Sequence, residues 1–181
     1  MTGPAAEYWR TFTLSRTLTV KPRPLVVAAD DLEYTYGDDF PALTWSIVGG
    51  RLADGDAVTG NLTCAYAGVL DQTYAITPGT LRVEDGAGGA NYRMEFWPGI
   101  LICHKAIAAM TVTGNEHVYN GAPADFTWTT DPPGLAGVIT CTGLDGTAYG
   151  PAPELPVAAG TYLVTVPVDD PHYRGQVESN L

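Results

Sequence analysis

The sequence predicts an all-β protein built of two tandem small β domains, and three observations carry that prediction. Two Tyr…Thr-Trp sets recur at one spacing: Tyr36 precedes Thr44-Trp45, and Tyr119 precedes Thr127-Trp128. Each Trp follows its Tyr by nine residues, and the two sets lie 83 residues apart. Self-similarity at a fixed period marks a tandem array. Next, 21 Gly and 14 Pro in 181 residues interrupt the chain too often for long helices and suit short strands joined by turns. Finally, apolar residues make up 45% of the chain, enough for cores, and they fall in short, often alternating runs.

The repeat extends beyond these landmarks. Leu25-Val26-Val27 faces Ala108-Ala109-Met110, and Glu33 faces Glu116. Thr73-Tyr74 recurs as Thr161-Tyr162, and Asn91-Tyr92-Arg93 as His172-Tyr173-Arg174, at offsets of 88 and 81, so loops have gained and lost residues. A partial third copy opens the chain: Tyr8, Phe12, Leu18 and Val20 read like Tyr92, Phe96, Leu101 and Cys103, with one residue of slippage. The expected organisation is therefore residues 1–22 as the closing strand of a preceding repeat or a donor strand. Residues 23–105 form a first β repeat. Residues 106–181 form a second, Ig-like repeat lacking its last strand, which stops at Leu181 in line with Leu18 and Leu101. An Ig-like sandwich is favoured, with a β-grasp-like sheet carrying one short helix as the alternative for the first unit. Lys105-Ala106-Ile107 leaves almost no linker, so the units are expected to be joined stiffly into an elongated rod.

Each element has a local reason. Phe12 to Val20 nearly alternates apolar and polar residues, as a half-buried strand does. Lys21-Pro22-Arg23-Pro24 interrupts it, and two prolines in four residues stiffen a linker toward polyproline II. Leu25 to Ala29 opens the first unit, and Tyr36-Gly37-Asp38-Asp39 is a turn. Ala42 to Val48 is a strand with Leu43, Trp45 and Ile47 of one parity. Gly49 to Asp56 reads as a loop with one helical turn. Asn61 to Ala67 and Thr73 to Ile76 form a hairpin, Asp85 to Gly89 a glycine-rich turn, and Tyr92 to Phe96 and Gly99 to Cys103 the closing strands. In the second unit the expected strands are Ala106 to Val112, Phe126 to Thr130, Val138 to Thr142 and Thr161 to Val168. The proline-rich Pro151 to Pro156 belongs on an edge or in a loop, since proline cannot donate to a central ladder. Tyr36, Trp45, Tyr119 and Trp128 are assigned as the core anchors, the two Trp being large enough to hold a small core.

Composition excludes several classes of function. The net charge is −11 with only nine Lys and Arg, so no basic stripe is available to displace counterions from a duplex, and no nucleic acid partner is expected. No run of about 18 apolar residues exists, so no membrane insertion is expected. Met1 to Arg10 lacks a basic n-region and an apolar h-region and does not read as a secretory signal peptide. The expectation is either a piece of a longer exported protein or a route such as a virion.

Catalytic signatures are missing. None of Ser15, Ser46 and Ser179 lies in a Gly-x-Ser-x-Gly elbow. Glu116-His117 has no second His at helical spacing, and no glycine-rich loop ends in Lys-Ser/Thr. Cys64, Cys103 and Cys141 show no CxxC spacing. Cys103 stands where Val20 stands in the partial copy and reads as a small core residue, with a Cys64–Cys103 disulfide left open. Carboxylates gather at Asp30-Asp31-Glu33, Asp38-Asp39, Asp54/Asp56 and Asp169-Asp170, without EF-hand spacing. They read as solvated turn charges rather than calcium ligands. No cofactor and no metal is expected. Trp9 and Trp97 lie near strand ends and read as partly buried rather than as a sugar platform.

One ordered series of motifs resembles a known family. Tyr36-Gly-Asp, Pro41-Ala-Leu-Thr-Trp45, Asp54-Gly-Asp, Gly60-Asn-Leu-Thr63, Tyr74-Ala-Ile-Thr-Pro-Gly-Thr-Leu81, Asn91-Tyr92 and Gly99-Ile-Leu-Ile together resemble the MBG ("mostly β, glycine-rich") repeats of bacterial surface proteins. The second unit, with Tyr119-Asn-Gly-Ala-Pro123, Pro133-Gly-Leu135, Ala159-Gly-Thr-Tyr162 and Asp170-Pro-His-Tyr173, is similar to a related Ig-like variant. The resemblance implies a stalk or adhesin-like module of large exported proteins with no catalytic residues. Such repeats are usually poor in cysteine, and this chain departs from them there.

The expected function is thus non-catalytic, spacing or joining subunits on an exposed surface outside the cell. A phage virion fibre, spike or decoration protein is the first alternative, and a carbohydrate-binding module the second. Other copies of the chain or neighbouring repeats are the expected partners, with a surface glycan or protein as further candidates. Phe12, Leu18 and Val20 mark the segment expected to be donated as a strand, since an open sheet edge elsewhere invites one.

Overall fold

The computed structural model describes residues 13–114 and 116–181. Among the described residues there is no helix, and sixteen strands form an all-β chain of two tandem small units. The first unit holds β1 (Arg23–Ala29), β2 (Leu32–Thr35), β3 (Trp45–Gly50), β4 (Ala57–Thr59), β5 (Thr63–Cys64), β6 (Gln72–Thr77), β7 (Arg82–Glu84), β8 (Tyr92–Trp97) and β9 (Gly99–His104). The second holds β10 (Ala106–Ile107), β11 (Ala109–Thr113), β12 (Thr127–Asp131), β13 (Thr140–Leu144), β14 (Thr161–Pro167), β15 (Tyr173–Arg174) and β16 (Gln176–Asn180).

In the first unit the opening and closing segments run side by side. β1 pairs in parallel with β8 and β2 in parallel with β9, so the two segments pass together from one sheet, β3-β1-β8, into the next, β2-β9-β6-β5. They bend together at Ala29-Asp30 and Pro98-Gly99. A Cβ on Gly99 would lie 2.6 Å from the Asp30 carbonyl oxygen, so only glycine allows this approach. Asp31 fixes the corner by accepting the Ile100 N–H on Oδ1 at 2.8 Å. The parallel pairs and the missing helix are what the structure adds to the two outlines expected from sequence. An Ig-like sandwich is built of antiparallel sheets, and the β-grasp alternative called for a helix.

Alternation fixes which side chains enter the core. Leu25 and Val27 of β1, Ile76 of β6, and Leu101 and Cys103 of β9 are fully buried, at every second position of their strands. The second core gathers around Cys141, Tyr162, Val164, Val166 and Phe126.

The sequence repeat is also a repeat of register. Ala29 faces Trp45 across β1–β3, and Val112 faces Trp128 across β11–β12. Arg23 faces Tyr92 as Ala106 faces Tyr173, both in parallel. Cys64 faces Ile76 as Cys141 faces Val164. Tyr74 faces Leu101, while Tyr162 and Leu181 exchange both backbone hydrogen bonds, at 3.0 and 2.8 Å. Equal registers in units of different loop length mean that the pairing, not the chain spacing, is what the two share.

Several expectations are corrected. Of the segment expected as a strand, Phe12 lies outside the described residues, and residues 13–20 form no strand. Leu14, Leu18 and Val20 are 97%, 86% and 84% exposed, and no sheet among the described residues includes them. In the second unit β16 lies antiparallel to β14, from Leu163–Asn180 to Pro167–Gln176. Short strands β2, β4 and β7 fall in stretches read as loops or not assigned, since three or four residues show too little alternation to be seen.

Candidate functional site: the junction between the units

The surface that singles this chain out is the contact between its two units. β9 ends at His104 and β10 begins at Ala106, leaving only Lys105 between them. The Lys105 N–H donates to Asp71 Oδ1 at 3.2 Å in the first unit, and its Nζ to the Asp170 carbonyl at 3.0 Å in the second. Tyr36, just past β2, donates its N–H to the His104 carbonyl at 3.0 Å. Its ring stacks on His172 of the second unit, with centroids 4.3 Å apart and planes 23° from parallel, and meets Tyr173 edge-on at 5.5 Å. Asp170 shapes that loop by accepting the N–H groups of His172 and Tyr173 on Oδ1, at 2.7 and 3.0 Å. Ring stacking, a charge-assisted hydrogen bond and a single-residue connection together restrict rotation at the junction.

The four expected anchors therefore occupy different places. Trp45 and Trp128 are partly buried and packed against their respective cores. Tyr36 is packed on the first core and is also the ring that meets the second unit. Tyr119 is corrected: it is 65% exposed and belongs to no core. The reason is positional. The corresponding Tyr36 is covered by the unit that follows it, and no unit in this chain lies against Tyr119. The role of Tyr36 at the junction was missed because the repeat spacing shows equivalence and not what packs on each copy.

At the far end of the second unit lies a groove of about 140 Å³ whose wall includes His117, Tyr119, Pro156, Gly160, Tyr162 and Leu181. His117 takes the place of Tyr34. Its side chain is 17% exposed, and Nδ1 accepts the Asp125 N–H at 3.4 Å. Nε2 is buried with no hydrogen-bond partner among the described residues. A buried polar atom without a partner is costly.

Elsewhere the surface is less suited to chemistry. The three cysteines are free; Cys103 and Cys141 are buried and Cys64 is partly so. Burial, and secondly Cys64, raises the Cys103 thiol above its ordinary pKa, and burial raises that of Cys141, so neither is poised as a thiolate. Asp85 holds the turn before β8 by accepting the N–H groups of Ala87 and Gly89 on Oδ1 and of Asn91 on Oδ2, at 2.8, 2.7 and 2.9 Å. Tyr34, Phe40, Tyr66 and Tyr74, spread over 41 positions of the sequence, form one cluster with ring centroids 5.3 to 5.7 Å apart. Most of these rings meet tilted or edge-on, the geometry of mutual packing rather than of a flat platform. Trp97 is half-exposed and donates its indole N–H to Glu95 Oε1 at 2.9 Å.

No curated protein and no solved structure matches the chain at a significant level. Two family models do, one to each unit: residues 25–102 match the MBG domain of YGX type, and residues 108–181 match the MBG domain. The matched segments meet within a few residues of the junction. With the shared strand registers, they show that this chain belongs to the MBG family, as two MBG domains in tandem.

Proposed function

We propose that the chain is a non-catalytic structural module that spaces or joins subunits on an exposed surface. The observation that carries this reading is the junction. One residue connects the units, and Tyr36, Lys105 and Asp170 tie them across it. A stiff joint between like units is what a spacer requires, whereas a catalytic pair would place chemistry in a cleft. The tilted packing of Tyr34, Phe40, Tyr66 and Tyr74 favours the spacer over a carbohydrate-binding module, because sugar stacking uses flat exposed rings. The family likeness supports the surface of a bacterial cell as the setting. A virion fibre, spike or decoration protein is the second setting, and the neighbouring genes, for secretion or for capsid and tail, separate the two. Small-angle scattering tests the spacer itself. An elongated particle with one fixed separation between the units is expected, and a globule with the units folded back on each other would overturn the reading.

A further inference from the structure

We propose that Asn61 is a glycosylation site: its side-chain amide carries an N-linked sugar, and the first ring of that sugar lies in a groove against Trp45. A modified Asn61 goes beyond the spacer reading and does not depend on it. Asn61-Leu62-Thr63 is the Asn-x-Thr acceptor signature, with Leu rather than Pro in the middle, and it is the one such signature in the sequence.

The fold presents this signature outward. Asn61 and Thr63 are exposed, whereas Leu62 between them is 7% exposed and packs in the first core. The amide and the hydroxyl therefore lie on one side of an extended segment. The backbone beneath them is clamped. The Asn61 N–H donates to Thr80 Oγ1 at 3.0 Å, and the Asn61 carbonyl accepts the Thr80 N–H at 2.9 Å. Gly60 permits this approach, since a Cβ there would lie 2.2 Å from the Thr80 carbonyl oxygen. An Asn in a turn often bonds the backbone two residues on, as Asn120 Oδ1 does with the Ala122 N–H at 2.8 Å. Asn61 is held by its backbone instead, and its side-chain amide makes no hydrogen bond among the described residues.

Beside that amide lies a groove of about 320 Å³, between Ala42, Leu43 and Trp45 on one side and Gly60, Asn61 and Leu62 on the other. None of these residues is charged, in a chain of net charge −11. Trp45 is packed on the core but only partly buried, so it gives the groove an aromatic wall. A sugar ring packs its C–H face on such a wall and keeps its hydroxyls in water. The uncharged lining suits a neutral hexose or N-acetylhexosamine. Because the link to Asn61 makes the contact intramolecular, a partly buried ring suffices where a free glycan needs an exposed platform. The transfer itself is a substitution at the anomeric carbon. A glycosyltransferase brings a sugar activated as a phosphate or diphosphate ester. The bond from Asn61 Nδ2 to C1 forms and the bond from C1 to the ester oxygen breaks. The phosphate leaves with the electron pair, and Nδ2 gives one proton to a base of the transferase. Nothing is oxidised or reduced.

Mass mapping of the protein purified from the cells that make it tests this. No Lys or Arg lies between Arg51 and Arg82, so trypsin releases residues 52–82 with Asn61 as their only Asn. That peptide should carry the mass of a sugar. Asn61→Gln and Thr63→Val should each abolish it, and Thr63→Ser should keep it; both positions are exposed, so the fold is retained. Enzymatic release of the glycan should shift the tryptophan emission, and Trp45→Phe should remove that shift. A peptide of unmodified mass alone overturns the proposal, and so does a sugar that persists in Thr63→Val. A sugar whose release leaves the emission unchanged overturns its placement against Trp45. None of these outcomes alters the scattering expected of a spacer, so the two readings fail separately.

Discussion

The two units share their strand registers but not their degree of enclosure. In the first, β9 is held on both sides, antiparallel to β6 and parallel to β2, so Leu101 and Cys103 are fully buried. In the second, β16 pairs among the described residues with β14 alone. Val118 and Tyr119 are exposed. The first core accordingly includes ten buried residues among those described and the second five. Tyr36 is partly buried against a neighbour and Tyr119 is exposed, although the sequence treats them alike.

The sharpest way to break the comparison is to cut the same register position in both units. Leu101→Ala should destabilise the first unit by about 3 kcal/mol, since it empties a fully enclosed site. Leu181→Ala, at the half-open site, should cost the second unit about 1 kcal/mol or less. Urea unfolding followed by a probe in each unit measures both, and equal losses would mean that the two sites are equally enclosed.

A second test uses the paired tryptophans. Both are partly buried, so Trp45→Ala and Trp128→Ala should each cost about 2 kcal/mol, below the range for truncating a fully buried aromatic. Trp128 supports the smaller core and packs where Gly137 leaves room for it, within 3.0 Å of the position a Cβ would take. Its loss should separate the two melting transitions more than the loss of Trp45 does. Calorimetry would show a single unsplit transition if the units unfolded together.

The junction gives a smaller and more specific effect. Tyr36→Ala removes the stack on His172 and should cost about 1 kcal/mol while loosening the units, whereas Tyr119→Ala should change stability by less than about 0.5 kcal/mol. Residual dipolar couplings from each unit report the loosening. A Tyr36→Ala chain whose units stay aligned would move the stiffness of the joint to Lys105 and Asp170.

The smallest effect expected is at Asp85. Backbone N–H groups, first that of Gly89 and then that of Asn91, hold its carboxyl below the ordinary value of 3.8. A carboxyl depressed in the folded state adds stability that is complete above the unfolded value and is lost as pH falls through the lower folded one. Asp85→Asn should therefore lower the melting temperature slightly at neutral pH and make no difference once the solution is acidic enough to protonate Asp85. A difference that persists at the lowest pH would mean that the turn depends on the shape of the side chain and not on its charge.

The sequence by itself determined the β class, the division into two repeated units and the family likeness. Each depends on local features. Gly and Pro punctuate the chain, alternation marks strands such as Thr161 to Val168, and the Tyr-to-Trp spacing survives changes in loop length. Only the tertiary structure decided that β1–β2 and β8–β9 run in parallel, that β16 is already paired, and that Tyr34, Phe40, Tyr66 and Tyr74 meet. These facts join residues far apart in the chain, and nothing in a local pattern says which edges will be brought together. Burial is non-local in the same way. Tyr36 and Tyr119 stand in like contexts along the chain, but a side chain is buried by whatever lies beside it, and among the described residues the second unit packs on Tyr36 while Tyr119 is left exposed.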